Sequence, residues 1–269
     1  MKEYTHYLLT KFNIVASWYK DCAEQKGGRH TSQIFHTQEW LNERIRLFET
    51  YCLPSVANQS AEFVWLVEFN SKSDKKLLDR IDEWKSTYPF FIPLFVEPYA
   101  DDALVVREYI SKHTNSKFII STNLDSDDML HKDFLSKIQS SFDYQDGKII
   151  HYSSGLQYIE QQKLLYSWQN AGNHFYSFIE KTSTNPQSCV DIQHGMFSEY
   201  IEIGDHVEPG WIEIVHNYNV YNHTFYAKPV LLNTQKTFNV KLNLSLRYFM
   251  KEYIKLNIRR IKKVFKCHK

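Results

Sequence analysis

The four residues Asp125-Ser126-Asp127-Asp128 concentrate three carboxylates in one short stretch directly after an apolar run. Carboxylates that leave water beside like charges are costly, and a divalent cation resolves the conflict. In an extended segment residues i and i+2 project to the same side, so Asp125 and Asp127 are expected to share one environment, with Asp128 turned toward the following helix. Oxygen ligands of this kind suit Mg²⁺ or Mn²⁺, ions that keep several waters and bind substrate phosphates. The alternative is that Asp127 and Asp128 cap the next helix, whose first turn favours acids.

The elements before the cluster decide where it sits. Residues 7–15, 63–67, Phe91–Val96 and 118–121 are short apolar runs of strand length, and 63–67 has no polar face, as a strand buried on both sides requires. Between them lie segments with helical spacing. In 37–56 the apolar positions are Trp40, Ile45, Phe48 and Tyr51, with Pro54 expected to stop or bend the helix near its end. In 75–88 they are Leu77, Leu78, Ile81 and Trp84, and a third helix is expected over Asp102–His113. A β-α-β-α-β-α-β order predicts an α/β fold: a Rossmann-type, mostly parallel sheet flanked by helices, with its ligand beyond the strands' carboxyl ends. The acidic cluster lies just past the fourth strand. After a helix over 132–142 the pattern loosens into 148–159, an irregular aromatic segment to about residue 185, and the run Gly210-Trp211-Ile212-Glu213-Ile214-Val215-His216. No Pro/Gly/Ser linker separates the halves, so the second is expected to build onto the first sheet.

Composition narrows the function classes. With 43% hydrophobic and 23% charged residues over 269 positions the chain folds into a core, and 8 Gly rule out glycine-rich repeats and argue against a phosphate-cradling glycine loop. Cys22, Cys52, Cys189 and Cys267 form no C-x-x-C pair, which argues against a zinc ribbon or redox motif and for a reduced, cytoplasmic protein. Neither a signal peptide nor a spanning helix is expected. Residues 247–269 carry a net charge of +8 against −7 for residues 1–246, despite a formal total of +1. An acidic body argues against nucleic-acid binding and leaves the tail to an anionic partner.

Residues 118–130, Phe-Ile-Ile-Ser-Thr-Asn-Leu-Asp-Ser-Asp-Asp-Met-Leu, followed by Asp133-Phe134-Leu135, resemble the D-x-D region of GT-A-fold glycosyltransferases. The chain is most similar to the rhamnosyltransferase family of bacterial polysaccharide clusters. Supporting segments are Leu9-Thr10-Lys11-Phe12-Asn13, residues 46–59 with Leu53-Pro54-Ser55-Val56 before Phe63-Val64-Trp65-Leu66, and 211–216 with Asn219 and Asn222. The likeness runs from about residue 5 to 225. It implies a GT-A-like domain over 1–246, with a donor-binding part at about 5–145 and an acceptor side at about 146–246, and sets the 247–269 tail apart. It further implies that Asp125 contacts the donor ribose, that Asp127 and Asp128 bind Mn²⁺ or Mg²⁺ bridging the donor diphosphate, and that His216 is a third metal ligand. Thr10, Lys11 and Arg107 fall on the donor side. Two departures stand out: Asn123 occupies a position where the family commonly has a basic residue, and Lys11 one where it tends to have Arg, which turns a bidentate phosphate contact into a point charge.

The activity so implied is transfer of a sugar from a dTDP- or UDP-linked donor to a glycan or lipid-linked acceptor. An inverting reaction needs a carboxylate or His near the acceptor hydroxyl. Asp191 and His194 are the first candidates, with Glu199, Asp205, Glu208 and Glu213 as rivals. Trp168, Phe175, Tyr176 and Phe178 either stack on acceptor sugars or pack internally. A nucleotidyltransferase using the aspartates in two-metal chemistry, and a non-catalytic carbohydrate-binding protein, are the competing readings. In the tail, Met250, Ile254, Ile258, Ile261 and Phe265 form an apolar stripe. Arg247, Lys251, Lys255, Arg259, Lys262 and Lys266 form a basic one beside it, the pattern of a helix lying on an anionic membrane at the cytoplasmic face. The rival is a helix packed on the chain's own acidic body.

Overall fold

The computed structural model describes residues 2–16, 37–192, 208–219 and 227–266, with side chains of the last helix described through Ile258. Strands β1 (Tyr4–Lys11), β2 (Val64–Asn70), β3 (Phe91–Val96) and β4 (Phe118–Asn123) alternate with helices as expected. Helix α1 (Gln38–Leu47) runs through a π turn (Phe48–Cys52) into α2 (Leu53–Ala57), and α3 (Lys75–Thr87) and α4 (Asp102–His113) follow β2 and β3. Pro54 does not end its helix. The Leu53 N–H reaches back to the Phe48 carbonyl through the π turn, and Pro54 then stands in the first turn of α2, where a missing N–H costs little. Thr37, Asp74 and Asp101 cap α1, α3 and α4 through their side-chain oxygens.

The first sheet has the order β3-β2-β1-β4-β9-β6, where β6 is Lys148–His151 and β9 is Tyr176–Lys181. Its first four strands are parallel, and β9 joins antiparallel to β4 and β6. Because β1 pairs with both β2 and β4, the chain reverses direction of winding there, which puts the switch point of the sheet at the carboxyl ends of β1 and β4. One face of the sheet is an aromatic layer of Phe12, Phe48, Trp65, Phe69, Trp84 and Phe91, with Phe48 and Trp84 4.8 Å apart. Each fully buried side chain of this size contributes about 1.5–3 kcal/mol, so this layer fixes α1 and α3 against the sheet.

The second half builds onto the first sheet through β6 and β9 and also forms a second sheet, and the segment expected to be irregular up to about residue 185 contains two strands. Strands β5 (Met129–Leu130), β7 (Ser154–Ile159), β8 (Leu164–Gln169), β10 (Trp211–Val215) and β11 (Pro229–Val230) order as β11-β8-β7-β10-β5. The helix expected over 132–142 is shortened to α5 (Phe134–Ser140). Phe175, Tyr176 and Phe178 are buried, which decides for internal packing over stacking on sugar: Phe175 lies flat on Trp211 at 4.5 Å, and Trp168 meets Trp211 edge-on at 5.3 Å. Gly155 permits this packing, since a Cβ there would lie 2.2 Å from the Trp211 ring. Beyond β11, α6 (Thr234–Phe238) precedes the C-terminal helix α7 (Leu246–Lys266).

Candidate active site

The apolar β4 ends at Asn123, and the chain turns at once: the Asp128 N–H donates to the Asp125 carbonyl at 3.2 Å. The acidic residues therefore stand on a turn and not on an extended strand. Residues i and i+3 come together on it, and Asp127 points elsewhere, which revises the expected pairing of Asp125 with Asp127. The turn is clamped from both sides, with β4 in the first sheet before it and β5, paired to β10 in the second, after it.

Asp128, 3% exposed, accepts from the Ile214 N–H at 2.8 Å and lies 2.7 Å from His174 Nε2. Burial, then the neighbouring Asp127 and Asp125 charges, push its carboxyl well above the usual range against the pull of His174. His174 is held in place by Asn123, whose side-chain amide donates to the His174 carbonyl at 2.9 Å. Burial opposes its protonation, but Asp125 and Asp128 raise the imidazole to about 10. Asp125 is 58% exposed at its side chain and 3.9 Å from His174 Nε2. One ligand atom each from Asp125, Asp128 and His174 falls within 4.8 Å of the others.

Asp127 has different company. Its Oδ2 lies 2.7 Å from His216 Nε2 and 3.3 Å from Arg44 Nη1. His216 Nδ1 accepts from the Tyr218 N–H at 3.2 Å, so in the neutral ring the proton sits on Nε2 and is donated to Asp127. Asn219 accepts from the His216 N–H and fixes the chain after β10. Arg44, over the Trp40 ring at 5.1 Å, also donates to Ser126 at 3.0 Å. Burial would raise the Asp127 carboxyl, yet Arg44 and His216 together hold it below the ordinary carboxylate range.

The remaining sequence-derived residues that are described have partners of their own. Thr10 accepts from Trp65 Nε1 at 2.9 Å inside the core, Lys11 pairs with Asp102, and Arg107 grips Asp191 with two bonds of 2.7 and 2.8 Å. His194, Glu199, Asp205 and Asn222 lie outside the described residues. Glu208 stands beside Lys137 and His131. Glu213 on β10 accepts from Gln157 at 2.8 Å, and burial, with Asp127 and Asp125 adding, raises its carboxyl above the effect of His174. Arg44 and His174 were not legible as site residues. Arg44 is one charge on an amphipathic helix, and His174 sits in a turn 46 residues from the aspartate it meets.

The donor set fits a hard divalent cation: one exposed carboxylate, one buried carboxylate and an imidazole each offer a ligand atom within 4.8 Å of the others.

Residues 5–228 match the family described as "Putative rhamnosyl transferase". Among solved structures, Staphylococcus aureus TarS 1-349 in complex with UDP-GlcNAc is 9% identical, with a TM-score of 0.43 over 80% of this chain and 60% of that one. This chain thus spans less than two thirds of TarS. A putative nucleotide-diphospho-sugar transferase from Desulfovibrio desulfuricans G20 is 9% identical, TM-score 0.36, over 80% of this chain and 82% of that one. HddC from Yersinia pseudotuberculosis is 9% identical, TM-score 0.35, over 77% and 88%. Comparison with curated proteins finds no match.

Proposed function

Because the chain belongs to the family described as putative rhamnosyl transferase, we propose that it moves a sugar, rhamnose by that description, from a dTDP- or UDP-linked donor to a hydroxyl of a glycan or lipid-linked acceptor in bacterial polysaccharide synthesis. The observation that carries this reading is the acidic turn at the carboxyl end of β4, met by His174 and His216 from outside the first sheet. Lys11, Arg107 and the main chain at Thr10 line the donor side, with Asp125 toward the ribose. Two ligand sets compete for Mn²⁺ or Mg²⁺: Asp127, Asp128 and His216 from the family resemblance, and Asp125, Asp128 and His174 from their convergence. We favour the second, because Asp127 already neutralises Arg44 and accepts from His216. The bound ion would supply Lewis-acid stabilisation of the leaving diphosphate.

The acceptor hydroxyl must lose a proton as the glycosidic bond forms. Asp191, clasped by Arg107, Glu208, beside Lys137 and His131, and Glu213, at the edge of the acidic turn, are the described carboxylates for this step. The raised proton affinity of Glu213 suits it better, since a general base works best when its pKa approaches the working pH. His194 remains a candidate from its residue type.

A panel of dTDP- and UDP-sugars, assayed with Mn²⁺ and with EDTA, tests the reading. Release of a nucleoside diphosphate only with metal is expected, while release of pyrophosphate would transfer the site to nucleotidyl chemistry. Equal UDP and dTDP affinity in EDTA and Mn²⁺ would remove the metal role. In the same assay Glu213→Gln should lower kcat by about 10²–10⁴ with donor binding kept. Asp191→Asn should act on the donor KM; a kcat loss there instead gives Asp191 the base role.

A further inference from the structure

Helix α7 carries two apolar rows on different sides. Phe249 packs on the small cluster of Ile159, Leu164, Tyr166 and Val215, and Leu256, two turns on, is half-buried on the same side. The second row, Leu246, Met250, Ile254 and Ile258, is spaced by four and lies about 130° around the helix from the first, at 100° per residue. Its members are 63%, 47%, 51% and 46% exposed. The helix is therefore anchored to the body by one row while the other faces outward.

One position after each member of the outward row stands a basic residue through the described part: Arg247, Lys251 and Lys255 are all exposed. The sequence extends both rows with Ile261 and Phe265 and with Arg259, Lys262 and Lys266. Were the stripe made for the acidic body, it would be packed there, and through Ile258 it is not. A second copy of the helix would bring one +8 tail against another, which like charges oppose. The remaining match is a surface that takes apolar side chains and presents phosphates beside them.

We propose that α7 docks the protein on an anionic lipid bilayer. It lies in the headgroup plane, with Met250, Ile254 and Ile258 inserted and the basic row on lipid phosphates. Among the described residues no helix is long and apolar enough to cross a membrane, so this is attachment to one face. The inference goes beyond sugar transfer and does not depend on it.

Flotation of the full chain with phosphatidylcholine vesicles, with and without phosphatidylglycerol, provides the test. Co-flotation with the anionic vesicles only, weakened by salt, is expected. Combined Met250→Asp, Ile254→Asp and Ile258→Asp should abolish it while gel filtration and nucleotide-sugar turnover stay unchanged, because these side chains make the outward row. Lys251→Gln should weaken binding about fivefold, the loss expected for one basic residue at such a surface. The proposal is overturned if the wild-type chain stays unbound to anionic vesicles at low salt, or if the triple variant binds as well as wild type. It is also overturned if the variant converts a dimer to a monomer with no vesicle binding by either, which assigns the row to a second copy.

Discussion

Glu68 and Asp127 are both buried carboxylates near the carboxyl edge of the first sheet, 1% and 6% exposed, and they end in opposite charge states. Among the described residues neither oxygen of Glu68 has a hydrogen-bond partner, and burial pushes the group up to about 8, Lys11 pulling against it and Asp102 with it. Lys11, its neighbour across β1, is engaged with Asp102. Asp127 is held ionised because α1 brings Arg44 and β10 leads to His216. Burial alone therefore does not make a charged site. Partners delivered by elements outside the parallel sheet do: for Asp127 these are α1 and the chain after β10.

The largest expected effect comes from removing the partnered acid. Asp127→Ala leaves Arg44 and His216 facing each other without their common acceptor, and breaking a buried pair in this way costs about 3–5 kcal/mol. Urea denaturation should report that loss, with sugar transfer abolished. A loss below about 1 kcal/mol would mean that the Asp127 partners contribute no more than a surface pair does.

Glu68 provides the converse case. A carboxyl raised from 4.5 to about 8 keeps its proton in the folded state while the unfolded chain releases it. Stability is then full below pH 4.5 and falls as pH rises toward 8, by up to ~1.4 kcal/mol per pH unit. Glu68→Gln removes that dependence. The variant should match wild type near pH 4.5 and exceed it increasingly toward pH 8 in paired denaturation curves. A constant difference across this range would show that Glu68 has a donor-stabilised charge after all.

The same contrast explains what the sequence made legible. The strands of the parallel sheet read as plain apolar runs, with β1, β2 and β4 buried along most of their length, so β1 to β4, their helices and the location of the acidic turn follow from pattern alone. The strands after the acidic turn did not, since β6 to β9 are short, carry polar residues such as Gln157 and Ser177 within the buried layer, and pair across long separations, β4 with β9 for example. The turn geometry was hidden for a related reason. Alternation along a strand pairs Asp125 with Asp127, whereas the strand ends at Asn123 and the turn pairs Asp125 with Asp128. Asn123, which departs from the family's basic residue, has its use here in holding His174.

Asp125 gives the smallest effect on the fold and the sharpest on the assignment of the cation. It is the one acid of the three that remains largely exposed, and its nearest cation, His174 Nε2, is 3.9 Å away. Asp125→Asn should leave stability within about 0.5 kcal/mol, as surface substitutions do. If the cation rests on Asp125, Asp128 and His174, however, the variant loses a charged ligand, and a tenfold loss of affinity removes ~1.4 kcal/mol of metal-linked stabilisation. Thermal melts titrated with Mn²⁺ in the presence of UDP should therefore coincide with wild type at zero metal and fall behind as metal is added. His216→Ala is the control on the other side of the turn. If it erases the Mn²⁺ dependence while Asp125→Asn leaves it intact, the cation belongs with Asp127, and Arg44 must yield that carboxylate when the ion arrives.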